Sequence, residues 1–200
     1  MDFKNVKPGD IITFGEYWQD KDLENGKSPI EWIVLKADDD SCMLTSRLAL
    51  DCMNFHSSKT EITWETSELR IWLNDIFINS AFSDEEKAQI LLSFVKEEEN
   101  SCYHIPSGND TEDRVYLLSI SEAEELFPSN TARACGPTDY AKSRGAYFRS
   151  LTGKGYYWLR TAGDRMTDSA HVSYDGSVDY SGFHVNDPTV AVRPVIRVSR

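Results

Sequence analysis

Two hundred residues, 40% of them hydrophobic and 12% aromatic, carry enough apolar surface to offset chain entropy without disulfide support, which excludes a disordered chain. A formal charge of −12, from 33 acidic and 21 basic residues with no local Lys/Arg cluster, argues against a nucleic-acid partner. The segment Met1 to Gly9 lacks the apolar core of a signal peptide and no run of about 18 apolar residues follows, so neither secretion nor membrane insertion is expected and a cytoplasmic location is.

Asp10-Ile11-Ile12-Thr13-Phe14-Gly15 is β-branched, aromatic and glycine-bounded, the pattern of a strand. Ile30 to Lys36 and Cys42 to Ser46, joined through Ala37-Asp38-Asp39-Asp40, predict an antiparallel hairpin, because Asp tolerates turn geometry. Asp51 to Thr63 has no period and is expected as a loop. Leu69, Trp72, Leu73, Ile76 and Phe77 then fall at i, i+3, i+4, i+7 and i+8, one face of a helix that Asn79-Ser80 should end. Ser83 and Glu86 have capping-box spacing, and Ala88, Leu91, Leu92 and Val95 suggest the buried stripe of a second helix. The polar stretch Lys96 to Asp113 reads as an exposed excursion.

Arg114 to Leu118 reads as a strand, and Ser121 with Glu124 as the capping box of a helix that stops before Pro128. Another short helix is expected over Thr138 to Ser143. From Gly155 the pattern is β: an aromatic strand through Tyr157-Trp158-Leu159-Arg160, a hairpin turning at Asp175-Gly176, and a closing strand carrying Val192-Arg193-Pro194. No Pro, Gly or Ser-rich linker interrupts the order, so a single α+β domain over residues 1–200 is expected, with an antiparallel sheet and two or more flanking helices.

Pro8 to Gly15, Pro29-Ile30-Glu31-Trp32, Thr63-Trp64-Glu65-Thr66-Ser67-Glu68-Leu69-Arg70-Ile71-Trp72-Leu73-Asn74, Val115 to Ser119, Trp158-Leu159-Arg160 and Val192-Arg193-Pro194 together resemble a bacterial family described as domain of unknown function number 6273. The C-terminal part resembles more distantly the closing segment of C-type-lectin-like domains, including formylglycine-generating enzymes, where a Trp-containing strand, a hairpin and an Arg-bearing strand close the sheet. The resemblance implies a C-type-lectin-like fold and carries no function with it. The calcium-ligating Glu-Pro-Asn and Gln-Pro-Asp tripeptides are absent, and Val185-Asn186-Asp187 offers too few oxygens for calcium by itself.

Chemistry-bearing motifs are sparse. Cys42, Cys52, Cys102 and Cys135 form no C-x-x-C pair and have no His at zinc spacing, and phosphate-loop, dinucleotide, nucleophile-elbow and zincin motifs are missing. Cys102 and His104 would share a face on a strand, yet a nucleophile also needs an oriented base. Arg160 and Arg193 suit carboxylate recognition, but in the strands that close the fold they are better read as structural, stacked on aromatics and paired with a buried acid.

The expected function is therefore a non-enzymatic binding module without a cofactor, taking a protein or small polar ligand on the C-terminal hairpin and its loops. Its candidate contacts are Tyr174, Tyr180 and His184, with Asp164, Arg165 and Asp187 from neighbouring loops, because Tyr and His expose a polar tip on an apolar body. The alternatives are a metal-dependent oxidase of the formylglycine-generating type and a structural subunit.

Overall fold

The computed structural model describes residues 3–200, so Met1 and Asp2, at the head of the N-terminal segment weighed above, lie outside the described residues. The chain opens with β1 (Ile11–Tyr17), β2 (Ser28–Ala37), β3 (Ser41–Ser46) and the two-residue β4 (Asp51–Cys52). A helical segment follows, α1 (Glu68–Trp72) running through a wide π turn (Leu73–Phe77) into α2 (Ile78–Ala81), then α3 (Asp84–Lys87). Next come β5 (Ser93–Val95), β6 (Thr111–Asp113), β7 (Val115–Tyr116), α4 (Ile120–Glu125), α5 (Asn130–Arg133) and α6 (Asp139–Ser143). The chain ends with β8 (Tyr157–Ala162), β9 (Asp168–Val172), β10 (Val178–His184), β11 (Ala191–Val192) and β12 (Val195–Ser199).

These strands build two five-stranded sheets, ordered β1-β2-β3-β12-β7 and β10-β9-β8-β11-β4, and a separate β5-β6 pair. The architecture is thus mixed α+β with short helices; every ladder is antiparallel except the contact of β11 with β8. The expected closing strand is two strands in different sheets, because Pro194, which has no N–H to extend a ladder, stands between β11 and β12. One hydrophobic cluster joins the sheets, with Trp32 and Leu44 from the first, Trp158 and Val172 from the second, and Leu69, Leu73 and Phe77 from the helical segment.

Several local expectations need correction. The π turn rotates the chain less per residue than an α-helix, so Phe77 stays in line with Leu69 and Leu73 while Ile76 swings out to 60% exposure. Ser83 and Glu86 do form a capping box, but their helix stops at Lys87. In place of the expected stripe, Ile90 bridges to Val198, and Ser93, Phe94 and Val95 alternate buried, exposed, buried on β5. The third helix starts two residues early: Ser119 caps it with Glu122, while Ser121 is held by Glu98. Residues 96–113 are no simple excursion, since Glu97, Asn100, Ser107, Thr111 and Asp113 are buried.

Both arginines are structural, and they divide the expected roles. Arg160 is 3% exposed; its Nε donates to Glu97 at 2.9 Å, another nitrogen reaches Glu122, and two more bonds go to the carbonyls of Leu117 and Lys96. Arg193 has no acid; its guanidinium lies 5.1 Å from the ring centres of both Phe127 and Tyr157 and donates to the carbonyls of Ser46 and Arg133. The ladder shifts between Trp158 and Ala162, and Trp158 and Arg160 meet different partners: Trp158 bonds Met53 O and packs on Phe55.

Candidate functional site

Alternation along β8, β9 and β10 sorts their side chains onto two faces. One face turns Tyr157 and Tyr180 toward the short helices: the Tyr157 hydroxyl donates to Arg133 O at 3.0 Å and that of Tyr180 to Glu124 at 2.9 Å. The other carries Trp158, His171, Asp179 and Phe183. There His171 sits opposite Trp158 on one side and Asp179 on the other. The loop through Met53 and Phe55 covers the Trp158 end of this face.

The far end is open and paved with rings. Tyr147 and Tyr156 stack in parallel, 4.6 Å between centres and 13° between planes. Tyr156 meets His171, Phe183 and Tyr174 at 5.4, 5.2 and 6.0 Å, and His171 stacks on Phe183 at 4.1 Å. Two backbone bonds hold the loops in place, Tyr147 N to Thr189 O and Ala191 N to Tyr156 O. Tyr147 is 40% exposed, and Tyr156, Tyr174 and Phe183 are half-buried. The hairpin under the platform depends on Gly176, at φ 85° with Asn130 O against it, and on Gly182, at φ 76° where β10 bulges.

Charge is arranged around the rings by one local device used three times. Asp175, Asp179 and Asp187 each accept from the backbone N–H and hydroxyl of the residue two ahead, namely Ser177, Ser181 and Thr189. In each case Oδ1 is the oxygen used. The Ser177 bonds hold the Asp175 carboxyl below the usual range. For Asp179 burial opposes ionisation, and hydrogen bonds from Ser181 and Gly182 outweigh it, so its carboxyl also sits low. His171 is 1% exposed with no hydrogen-bond partner for Nδ1, and burial pushes its pKa down to about 4 against the pull of Asp179 and Asp187, leaving the ring neutral at pH 7.

Of the six expected contacts, the structure brings Tyr174 and Asp187 to this platform. Tyr180 lies on the opposite face, its hydroxyl bound to Glu124 and its pKa raised to about 12 by burial and that bond. His184, at the far end of β10, is held through Nδ1 by Asp168 and contacts Lys59 at 3.0 Å through Nε2. Asp164 and Arg165 form a separate loop pair at 4.0 Å. Tyr147, Tyr156, Arg149 and Asp179 lie outside the set expected from sequence, although the threefold Asp-x-Ser/Thr spacing is visible there.

The platform lies wholly within a stretch that a family model recognises: the model of a domain of unknown function, DUF6273, matches residues 39–199. The chain belongs to the DUF6273 family. No curated protein sequence matches it, and no solved structure does. Other candidate chemistry in this DUF6273 chain is dispersed. Cys102 lies exposed in a turn where His104, at φ 56°, faces Glu99 at 2.7 Å, so the two do not share a strand face. Cys135 is buried with its thiol against the carbonyls of Arg47 and Gly136. Among the described residues no three His, Cys, Asp or Glu side chains converge as a metal site, and no helix is long and apolar enough to cross a membrane. A cavity of about 400 Å³ lined by Pro8, Ile33, Val34, Leu126 and Phe127 has no titratable group in its wall.

Proposed function

We propose that this domain is a non-enzymatic binding module whose ligand face is the ring platform of Tyr147, Tyr156, Tyr174 and Phe183. The observation that carries the reading is the conjunction on one open face of half-exposed rings, carboxylates fixed through one oxygen, and a buried His171 nitrogen without a partner. Rigid aromatic area gives contact at low entropic cost, and polar groups already oriented by the backbone lose little on binding. The resemblance of the Trp158 strand, hairpin and Arg193 segment to C-type-lectin-like domains supports a fold of that group for this domain and carries no ligand with it.

The test is a nuclear magnetic resonance screen of small polar molecules and short peptides against the wild type and Tyr156→Ala. Hits are expected to shift the ring signals of Tyr147, Tyr156, Tyr174 and Phe183, and to lose at least about tenfold in affinity in the variant while its circular dichroism spectrum is retained. Hits that bind the variant equally well, or that map to another face, would sink the proposal.

A further inference from the structure

We propose that the platform selects an organic cation, an alkylammonium or guanidinium group, held over the Tyr147–Tyr156 rings with Asp179 and Asp187 as its counter-charges. This rests on the platform being the ligand face. The chain itself demonstrates the chemistry at the same spot. Arg149 lies 5.0 Å from the centre of the platform ring Tyr174, and Lys142 lies 5.1 Å from that of the neighbouring Phe148, so one platform ring and one ring beside it already carry cations over their faces. Tyr147 and Tyr156 stack on one another, and no cation of the described residues lies over either ring.

Besides Arg149 and Lys142, carboxylates also flank this bare pair. Asp179 is the cross-strand neighbour of His171, which touches Tyr156, and the Asp187 turn is tied through Thr189 to Tyr147. The Oδ1 of each carboxylate is committed to its own turn, and Oδ2 has no partner among the described residues, so each half-buried carboxylate keeps one oxygen free of a protein donor. Arg149 acts electrostatically on Asp175, and neither Asp179 nor Asp187 forms a salt bridge among the described residues. His171 beside them is buried and neutral, so it adds no positive charge that would compete with a bound cation. A formal charge of −12 over the whole chain steers cations toward the surface and anions away from it.

Two sources offer this chemistry, a free small cation or the basic side chain of a peptide. The experiment titrates the full chain with tetramethylammonium, N-acetyl-arginine amide, an Arg-containing pentapeptide and the uncharged tert-butyl compound neopentyl alcohol, following the platform ring signals at two salt concentrations. The variant is Asp179→Asn with Asp187→Asn, chosen because Asn keeps the Oδ1 acceptor of each turn and removes only the charge. The cations are expected to bind with ring shifts, to weaken with salt, and to lose about tenfold or more in the double variant. Tighter binding of the pentapeptide than of N-acetyl-arginine amide would assign the source to a peptide, and the reverse to a free cation. Neopentyl alcohol binding as tightly as tetramethylammonium, or a double variant that binds cations unchanged, would overturn the inference. Cations that fail while uncharged or anionic members of the broader screen still shift the rings in a Tyr156-dependent way would overturn it and leave the ligand face standing. Silence from every probe would overturn both.

Discussion

Glu97 touches a guanidinium and is still hard to ionise. Its Oε1 accepts from Arg160 Nε at 2.9 Å, but Oε2 is buried without a partner, and burial outweighs the pull of Arg160 to bring the pKa up to about 7. The folded value exceeds the unfolded value of about 4.3, so the native state holds a proton that the unfolded chain has lost. The contribution of this group to stability is therefore full below about pH 4 and declines as pH rises to about 7. Glu97→Gln removes that decline. Its unfolding free energy in urea should gain on the wild type from about pH 5 to pH 7 and level off by about pH 8, and parallel pH curves would refute the account. Arg160→Ala is a different change, since it leaves two acids and two carbonyls without their donor. A loss of about 3–5 kcal/mol at pH 7 is expected by the same denaturation. An Arg160→Ala protein of unchanged stability would return the residue to the list of ligand contacts.

At the scale of elements, legibility follows the locality of the signal. The β2–β3 hairpin, the Asp175-Gly176 turn, the Ser83 capping box and the Thr138-capped helix α6 are each set by residues within a few positions, and each stands where the pattern put it. Failures occur where a distant partner decides. Residues 90–95 have helical spacing, but Leu91 N bonds Arg197 O and Ile90 pairs with Val198, so a strand from the other end of the chain captures them. Ser119 and Ser121 both begin an S-x-x-E pattern, and Glu98, from a segment read as exposed, takes Ser121. The hairpin turn shows how tightly a local element can be bound to a remote one. Gly176 has φ 85°, and a Cβ there would lie 1.8 Å from Asn130 O, whereas Gly153 has φ 68° and open space around it. Gly153→Ala should lose only the left-handed strain, about 1 kcal/mol. Gly176→Ala must also push the hairpin off α5, and about 3 kcal/mol or more is expected, with thermal unfolding as the measure. Equal shifts in melting temperature would mean that the hairpin and α5 do not touch as described.

Across the whole molecule, the site was less legible than the fold for a reason visible in its geometry. Tyr174, Tyr180 and His184 are close in sequence, but strand alternation and the Gly182 bulge send them to different surroundings, while Tyr147 and Tyr156 arrive from the segment ahead of β8. What holds those segments in common is the junction of the two sheets, and Arg193 is its centre. Its Nε donates to Ser46 O of β3 at 2.9 Å, another nitrogen donates to Arg133 O of α5 at 2.9 Å and to the Tyr157 hydroxyl of β8 at 3.1 Å, and its plane stacks on Tyr157 and Phe127. A planar fork can serve acceptors on divergent lines while filling the space between two rings; an ammonium is a point donor and leaves at least one buried carbonyl unsatisfied. Arg193→Lys should therefore lose about 2–4 kcal/mol, although the charge is kept, whereas Arg165→Ala on an exposed loop should stay within about 0.5 kcal/mol. Because Arg193 is shared, the loss should not be confined to its own strand: amide hydrogen exchange should accelerate in both β3 and β8 of the Lys variant. Acceleration in one sheet alone would show that the sheets are coupled through the apolar core and not through this guanidinium.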